Sequence, residues 1–324
     1  KPALTDAFLV CGYLNPKRFA AGRVFLDAGH SEIALRPIAE YLQVDVRSAA
    51  DRMIQIAISN MYAELSNVME QRGVDPRNFT IVAFGGAGPV TANFVAEEIQ
   101  AKNVLVPLRP GTLCALGSLT TDFVYDAVRS RQALLDDFSM EVLGDEFSQL
   151  ASEAKKWLDD QHVAILKEFQ LFYSIDARYK GQAFEIELPI DAEQLDKMNK
   201  DDLSDSFHDL HQRQYGHSDR HAKVETINFR VKLVAYTPKF QQIPLEKFEK
   251  AAQFIGSRSI ICRGEVYSAN IYDRSGLKAG HIIEGPAIVE QDDTTVLILP
   301  GWKGIVDLYG NLFISRIEDG KEVN

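Results

Sequence analysis

Apolar positions recur along this chain with changing period, and each change marks a new element. Between residues 46 and 72, Ile54, Ala57, Ile58, Met61, Leu65 and Val68 fall at helical spacing. Gly73 stands where a helix commonly ends in a left-handed residue, and Pro76 prevents continuation. The pattern therefore predicts a long helix here. Two shorter helices precede it, one capped by Thr5 and carrying Phe8, Leu9 and Tyr13, the other capped by Ser31 and running through Leu42. Residues 81–84 form a short apolar run that reads as a buried strand, followed by Gly85, Gly86, Ala87 and Gly88 and by a helix beginning near Pro89. Residues 103–106 supply a second strand, residues 112–118 are small enough for close helix packing, and residues 121–128 read as a strand leaving this region.

A second region begins near Leu134. Residues 136–169 have helical periodicity, residues 171–189 alternate around Gly181, residues 203–215 form an amphipathic helix, and residues 226–236 alternate again. Residues 237–253 read as a linker. Beyond it, turns at Gly256, Gly264, Gly276, Gly285, Gly301 and Gly310 punctuate a β-rich tail, expected to form a small barrel or sandwich. The predicted class is α/β plus α+β, with bodies at 1–132, 133–240 and 241–324.

Composition narrows the possibilities. The 324 residues suffice for about two domains, and 46% hydrophobic content supports a sizeable core. No apolar run approaches the roughly 20 residues of a membrane helix, and the apolar segment 7–13 is too short and lacks the cationic lead of a signal peptide. A net charge of −11 with no compensating basic run argues against nucleic acid or an anionic membrane as partner. Cys11, Cys114 and Cys262 sit in apolar settings without CxxC spacing and read as reduced core thiols of a cytoplasmic protein.

Candidate chemistry centres on the glycine turn. Backbone N–H groups at such a turn, the positive end of the following helix and the absence of Cβ atoms together make a docking geometry for phosphate or nucleotide, with Gly85, Gly86, Ala87, Gly88 and Pro89 as the contacting residues. The same turn is also an ordinary way to close an α/β unit. Asp6 reads either as a carboxylate assisting Mg²⁺ or water, or as an acidic residue favouring its helix dipole. Asp122 and Asp126 face one side of a strand and read as a polar edge. In FHDLHQRQYGHSDRH, His208 and His211 share a helix face, but no acidic or thiol partner follows at zinc-site spacing, so no metal site is assigned. In RYKGQAFEIELP, Gly181 either aims Arg178 and Gln182 at a ligand or bends a strand. Glu290, Gln291, Asp292 and Asp293 read as a polar hairpin end or a partner contact. No Walker loop, nucleophile elbow or HExxH is present.

Several segments in one order resemble the hydantoinase A and 5-oxoprolinase family: LTDAFLVCGYLNP (4–16), AFGGAGP (83–89), VPLRPGTLCALGSLTTD (106–122), DARYKGQAFEIELP (176–189), GPAIVEQDDTTVLILPGW (285–302) and DLYGNL (307–312). The resemblance implies the second half of an actin-like ATPase domain of hexokinase type, with the glycine turn on the adenosine side, followed by the family's α+β and β-rich regions. It also implies ATP and Mg²⁺ as cofactors, a small cyclic amide as substrate, and a hydantoinase B-type subunit as partner. The β- and γ-phosphate loops would lie in an N-terminal half outside this chain, so that the chain alone would be inactive; Asp6 is the one catalytic candidate within it. The resemblance extends equally to ATP-dependent ketone carboxylases, and a non-enzymatic assembly module is the third possibility. It further suggests a structural or interface role for His208, His211, Tyr215 and Gly216. Where many members have a histidine two positions after the Gly-Pro of the turn, this chain has Val90 and Thr91, so no histidine role carries over.

Overall fold

The computed structural model describes residues 1–162, 168–191, 199–239, 241–248 and 251–317. It divides into two compact units: residues 1–118 with residues from 241 onward, and residues 119–240.

Unit 1 begins with α1 (Leu4–Val10), α2 (Ala28–Leu42) and α3 (Val46–Gln71), then runs through β1 (Thr80–Val82), α4 (Gly88–Glu98), β2 (Asn103–Val106) and α5 (Leu113–Thr120). Helix caps differ from expectation in an instructive way. Asp27, not Ser31, caps α2 by accepting from the amides of Gly29 and His30, because it is the last extended residue before the helix. Ser31 instead donates from its hydroxyl to Asp6 Oδ1 at 2.6 Å. At α1, Asp6 Oδ2 accepts the Ala3 amide at 2.7 Å, so Asp6 rather than Thr5 satisfies the first turn.

Unit 2 contains β3 (Phe123–Leu134), α6 (Met140–Asp160), β4 (Phe169–Tyr179), β5 (Ile186–Ile190), α7 (Lys200–Tyr215) and β6 (Val224–Ala235). Its antiparallel sheet has the order β3-β6-β4-β5. Leu143, Phe147, Leu150 and Ala154 of α6 and Leu203 and Phe207 of α7 join Ile175, Phe229 and Val231 of the sheet in one core. The long helix expected over 136–169 is shorter: a turn of 3₁₀ helix at Leu135–Asp137 precedes α6, Phe169 already lies in β4, and residues 163–167 fall outside the described residues. Asp122 lies just before β3, where it accepts from the Thr237 amide at 2.9 Å and Lys239 Nζ at 2.6 Å; Asp126 faces Lys232.

The chain then returns to unit 1 as β7 (Gly256–Cys262), β8 (Glu265–Asp273), β9 (Ile282–Glu284), β10 (Ala287–Glu290), β11 (Thr295–Ile298), β12 (Trp302–Val306) and β13 (Leu312–Arg316). The tail is therefore not a separate barrel or sandwich, nor are there three bodies. Strand β2 pairs in parallel with β1 and antiparallel with β13, giving a five-stranded sheet β1-β2-β13-β12-β9, and β11-β10-β8-β7 form a second sheet. The physical reason is burial: β1 and β2 are too few to cover α4, and Val104, Val106, Phe94, Ile288, Val296, Trp302 and Ile314 complete one core between them. Two long-range contacts fix the join, Tyr13 Oη donating to the Ile261 carbonyl at 2.9 Å and the Leu299 amide donating to Asn93 Oδ1 at 2.9 Å. Cys11 and Cys262 are buried, the latter thiol pushed up to about 11 by burial, whereas Cys114 is exposed and is not a core thiol. Among the described residues, no helix is long and apolar enough to cross a membrane.

Candidate functional site

Within unit 1 the glycine turn opens on a cavity of about 620 Å³, a size that ordinarily holds a small ligand. Gly86, Ala87 and Val90 form one wall; Phe8, Leu14, Asn15, Arg18, Phe19 and Arg23 form a second; Thr112 and residues 290–295 form a third. Each wall has a local cause. Gly85 has φ +78°, a conformation that glycine adopts without strain, and its amide donates to the Pro110 carbonyl at 2.8 Å. At Gly86 a Cβ would find no atom closer than Asp293 O at 3.9 Å, so its missing side chain is open space rather than a packing requirement. Ala87 caps α4, and Gly88 and Pro89 begin it, with Pro89 buried at a position that needs no amide hydrogen.

The second wall is held by charge. Arg18 Nη1 donates to Asp273 Oδ2 at 2.8 Å and lies 3.6 Å from Glu290 Oε2, while Asn15 Nδ2 donates to Glu290 Oε2 at 3.0 Å. Glu290 is nearly fully buried, and its other oxygen accepts from Arg258 at 2.6 Å. Asp273 and Glu290 are register partners on the parallel strands β8 and β10, which is why one arginine can meet both. Hydrogen bonding to Asp273 raises the Arg18 pKa, and the Ser275 hydroxyl, chiefly, lowers that of Asp273, so both groups stay charged at neutral pH.

Asp6 is absent from the cavity lining, although its neighbour Thr5 belongs to it. Both oxygens of Asp6 are engaged, and the Ala3 amide and then the Ser31 hydroxyl hold its pKa below the usual carboxylate value. The geometry is that of a helix-start residue, so the catalytic assignment of Asp6 gains no support. The residues that sequence reasoning undervalued are Glu290, Gln291, Asp292 and Asp293, read as a hairpin end; they do form the β10–β11 turn, and the turn lines the cavity. Their signals in sequence were a run of six polar residues, Glu290 to Thr295, between apolar strands and their place in the 285–302 segment that carries the family resemblance. Asn15 belongs to the 4–16 segment of the resemblance; Arg18 and Arg23 carried no signal.

The histidine-rich stretch resolves differently. Tyr179 Oη lies 2.7 Å from His208 Nδ1 and Ser204 Oγ 3.2 Å from Nε2; His211 Nδ1 lies 2.7 Å from the His217 carbonyl and Gln182 Nε2 3.1 Å from His211 Nε2. All four ring nitrogens thus have protein partners. Arg178 pairs with Glu225 at 2.8 Å, and Gln182 faces the histidines, so the bend at Gly181 (φ +91°) aims neither side chain at a cavity. Among the described residues no group of three or more His, Cys, Asp or Glu side chains is placed to hold a metal ion.

Family profiles decide the lineage: Hydantoinase/oxoprolinase matches residues 1–127, and the Hydantoinase/oxoprolinase C-terminal domain matches residues 137–315. The chain belongs to the hydantoinase/oxoprolinase family. It is 29% identical to the caprolactamase subunit alpha of Pseudomonas jessenii over 95% of this chain and 45% of that protein. Identity to the acetone carboxylase beta subunit of Xanthobacter autotrophicus is 28%, over 94% of this chain and 44% of that one. A nucleotide-free acetone carboxylase structure superposes with a TM-score of 0.84 at 23% identity, covering 97% of this chain and 46% of that one. The fold, mixed α/β and α+β with several sheets, is accordingly shared with that structure. The chain spans slightly less than half the length of these relatives.

Proposed function

We infer that this chain is the C-terminal portion of an ATP-dependent enzyme subunit that activates a cyclic amide, a hydantoin or lactam, for ring opening, and that the cavity of unit 1 receives the nucleotide. The observation that carries this reading is the opening of the 85–88 turn, bare of Cβ at Gly86, onto a cavity with both apolar walls and arginines. Phe8, Leu14, Phe19 and Val90 suit the flat face of a purine, and Arg18 and Arg23 suit phosphate. Phosphorylating the amide oxygen turns a poor electrophile into one with a good leaving group, and catalysis of that kind is mainly positioning and charge stabilisation.

The share of this chain is to hold the nucleotide. The β- and γ-phosphate contacts and Mg²⁺ are assigned to an N-terminal half, and completion of hydrolysis to a hydantoinase B-type partner. No residue of this chain is assigned to Mg²⁺. A cytoplasmic setting belongs to the same reading, in keeping with the free buried thiols of Cys11 and Cys262. A second reading, ketone carboxylation, rests on the acetone carboxylase beta subunit being almost as similar as the caprolactamase subunit.

Phosphate release by the full-length protein with its partner subunit separates these. ATP cleavage stimulated by hydantoins or lactams, and not by ketones with bicarbonate, is the expected result; the reverse preference would replace the first reading with the second. This chain alone should release little phosphate, because one wall of the site cannot exclude water from the transferring group. Robust turnover by the lone chain would contradict the division of labour.

A further inference from the structure

One short turn grips every wall of the cavity. Between β10 and β11, Glu290 holds Asn15 and Arg18 of the second wall. Gln291 Nε2 donates to the Leu108 carbonyl at 2.8 Å, and Asp293 Oδ2 accepts the Gly111 amide at 2.9 Å. Thr294 Oγ1 donates to the Gly86 carbonyl at 2.7 Å. The fit at Gly111 is tight: a Cβ there would lie 2.5–2.8 Å from atoms of the Asp293 side chain, so the two residues occupy one space. The 110–112 turn is in turn bonded to the glycine turn through the Gly85 amide and Pro110 carbonyl. Gly86 and Gly111 are therefore fixed by side chains 208 and 182 positions away in sequence, and both side chains come from adjacent positions of one hairpin.

We propose that the β10–β11 turn positions the nucleotide site, with Thr294 as the residue that sets the orientation of the glycine turn through the Gly86 carbonyl. This rests on the nucleotide reading of the same cavity. The physical argument is that a glycine-rich turn is intrinsically free: Gly85, Gly86 and Gly88 lack the side chains that would restrict their backbone angles, and φ at Gly85 is positive. A ligand bound mainly by main chain needs that backbone ordered beforehand, or the ordering cost is deducted from its affinity. Thr294 is a buried residue held in the hairpin, so its hydroxyl meets the Gly86 carbonyl from a fixed position. Asp293 does the same for the neighbouring turn and, with Asp307, places negative charge near the buried guanidinium of Arg274, which donates to the Gly310 carbonyl at 2.5 Å.

The test is ATP binding by the full-length protein carrying Thr294→Val, which keeps shape and removes the donor, and Thr294→Ser, which restores it. Loss of one hydrogen bond should weaken ATP by roughly threefold to tenfold in Thr294→Val. Thr294→Ser should return to within about twofold of wild type, and steady-state kinetics should show the change in KM for ATP with kcat nearly kept. A brace with no positioning role would lower Tm but leave the affinity of the folded protein unchanged, and that result would overturn the proposal. Should Thr294→Val fold poorly, Gly111→Ala displaces Asp293 and carries the same expectation and the same contradiction. If the wild-type protein binds no ATP, the nucleotide reading fails and this proposal with it; binding by wild type and equal binding by the variants defeats this proposal alone.

Discussion

The two units each contain a dense cluster of buried polar side chains, and the clusters differ in whether their hydrogen bonds close. In unit 2, Tyr179, Ser204, His208, Gln182, His211 and the His217 carbonyl satisfy one another, and the Asp219 amide adds a donor to Tyr179 Oη at 3.0 Å. In unit 1, the turn that lines the cavity leaves capacity unused: Gln291 Oε1 and Asp293 Oδ1 are buried without a partner, as are Asn93 Nδ2, His281 Nε2 and two nitrogens of Arg274 away from the cavity. Arg230 Nε of unit 2 is the exception, and its guanidinium is already paired with Asp176 through Nη2 at 2.8 Å. A closed polar network fixes a core, whereas an open one beside a cavity marks a place built for something else. The histidines were conspicuous in sequence, and their ring nitrogens are taken up by protein partners; the less conspicuous turn at 290–295 lines the proposed site.

That contrast breaks most sharply at glycine. Gly12 has φ +85°, and a Cβ there would lie 2.4 Å from the Ser259 carbonyl oxygen, whereas Gly216, the C-cap of α7 at φ +78°, has nothing within 4 Å. Gly12→Ala should therefore cost at least about 3 kcal/mol, strain plus a backbone collision. Gly216→Ala should cost about 1–2 kcal/mol, the left-handed strain alone. Urea unfolding followed separately by Trp302 in unit 1 and Trp157 in unit 2 reads both. Equal costs would mean that the junction of α1 with β7 is looser than its geometry.

A smaller effect sharpens the structural role of the histidines. Burial, with Arg220 adding to it, lowers the pKa of His208 against the opposing pull of Asp205, Asp219 and Asp209. The Tyr179 hydroxyl, which takes a hydrogen bond from the Asp219 amide, donates to His208 Nδ1 and so favours the neutral ring. An unfolded histidine titrates near 6.5, so the stabilisation is fully present above about pH 6.5 and is lost as pH falls toward the depressed folded value. Thermal unfolding between pH 7.5 and 5 should show a fall in Tm that is shallower in His208→Gln. An identical slope in the variant would place the pH dependence elsewhere.

The sequence made α3, β2 and the strand–turn–helix at 80–98 legible because their patterns are local: Ile54, Ile58 and Leu65 at helical spacing, and glycines at a turn. What it concealed was long-range. Nothing in residues 302–316 says that β13 will pair with β2 rather than close a barrel, since alternating apolar residues fit either. Asp6 and Ser31 looked like separate helix signals and are bonded to each other across 25 positions. The glycine turn was legible as a candidate; its partners Thr294 and Asp293 were not, because their role depends on which carbonyl and amide they meet.

The central claim, that the cavity beside the glycine turn binds nucleotide, is tested most directly by calorimetric titration of ATP into the full-length protein and its Gly86→Val variant. The backbone at Gly86 is not left-handed, a Cβ there would meet no atom closer than Asp293 O at 3.9 Å, and the residue lines the cavity, so the valine is expected to keep the fold and narrow the cavity. The account predicts an ATP dissociation constant raised at least tenfold, corresponding to about 1.4 kcal/mol, with an unchanged circular dichroism spectrum. Wild-type affinity in a normally folded Gly86→Val protein would contradict it.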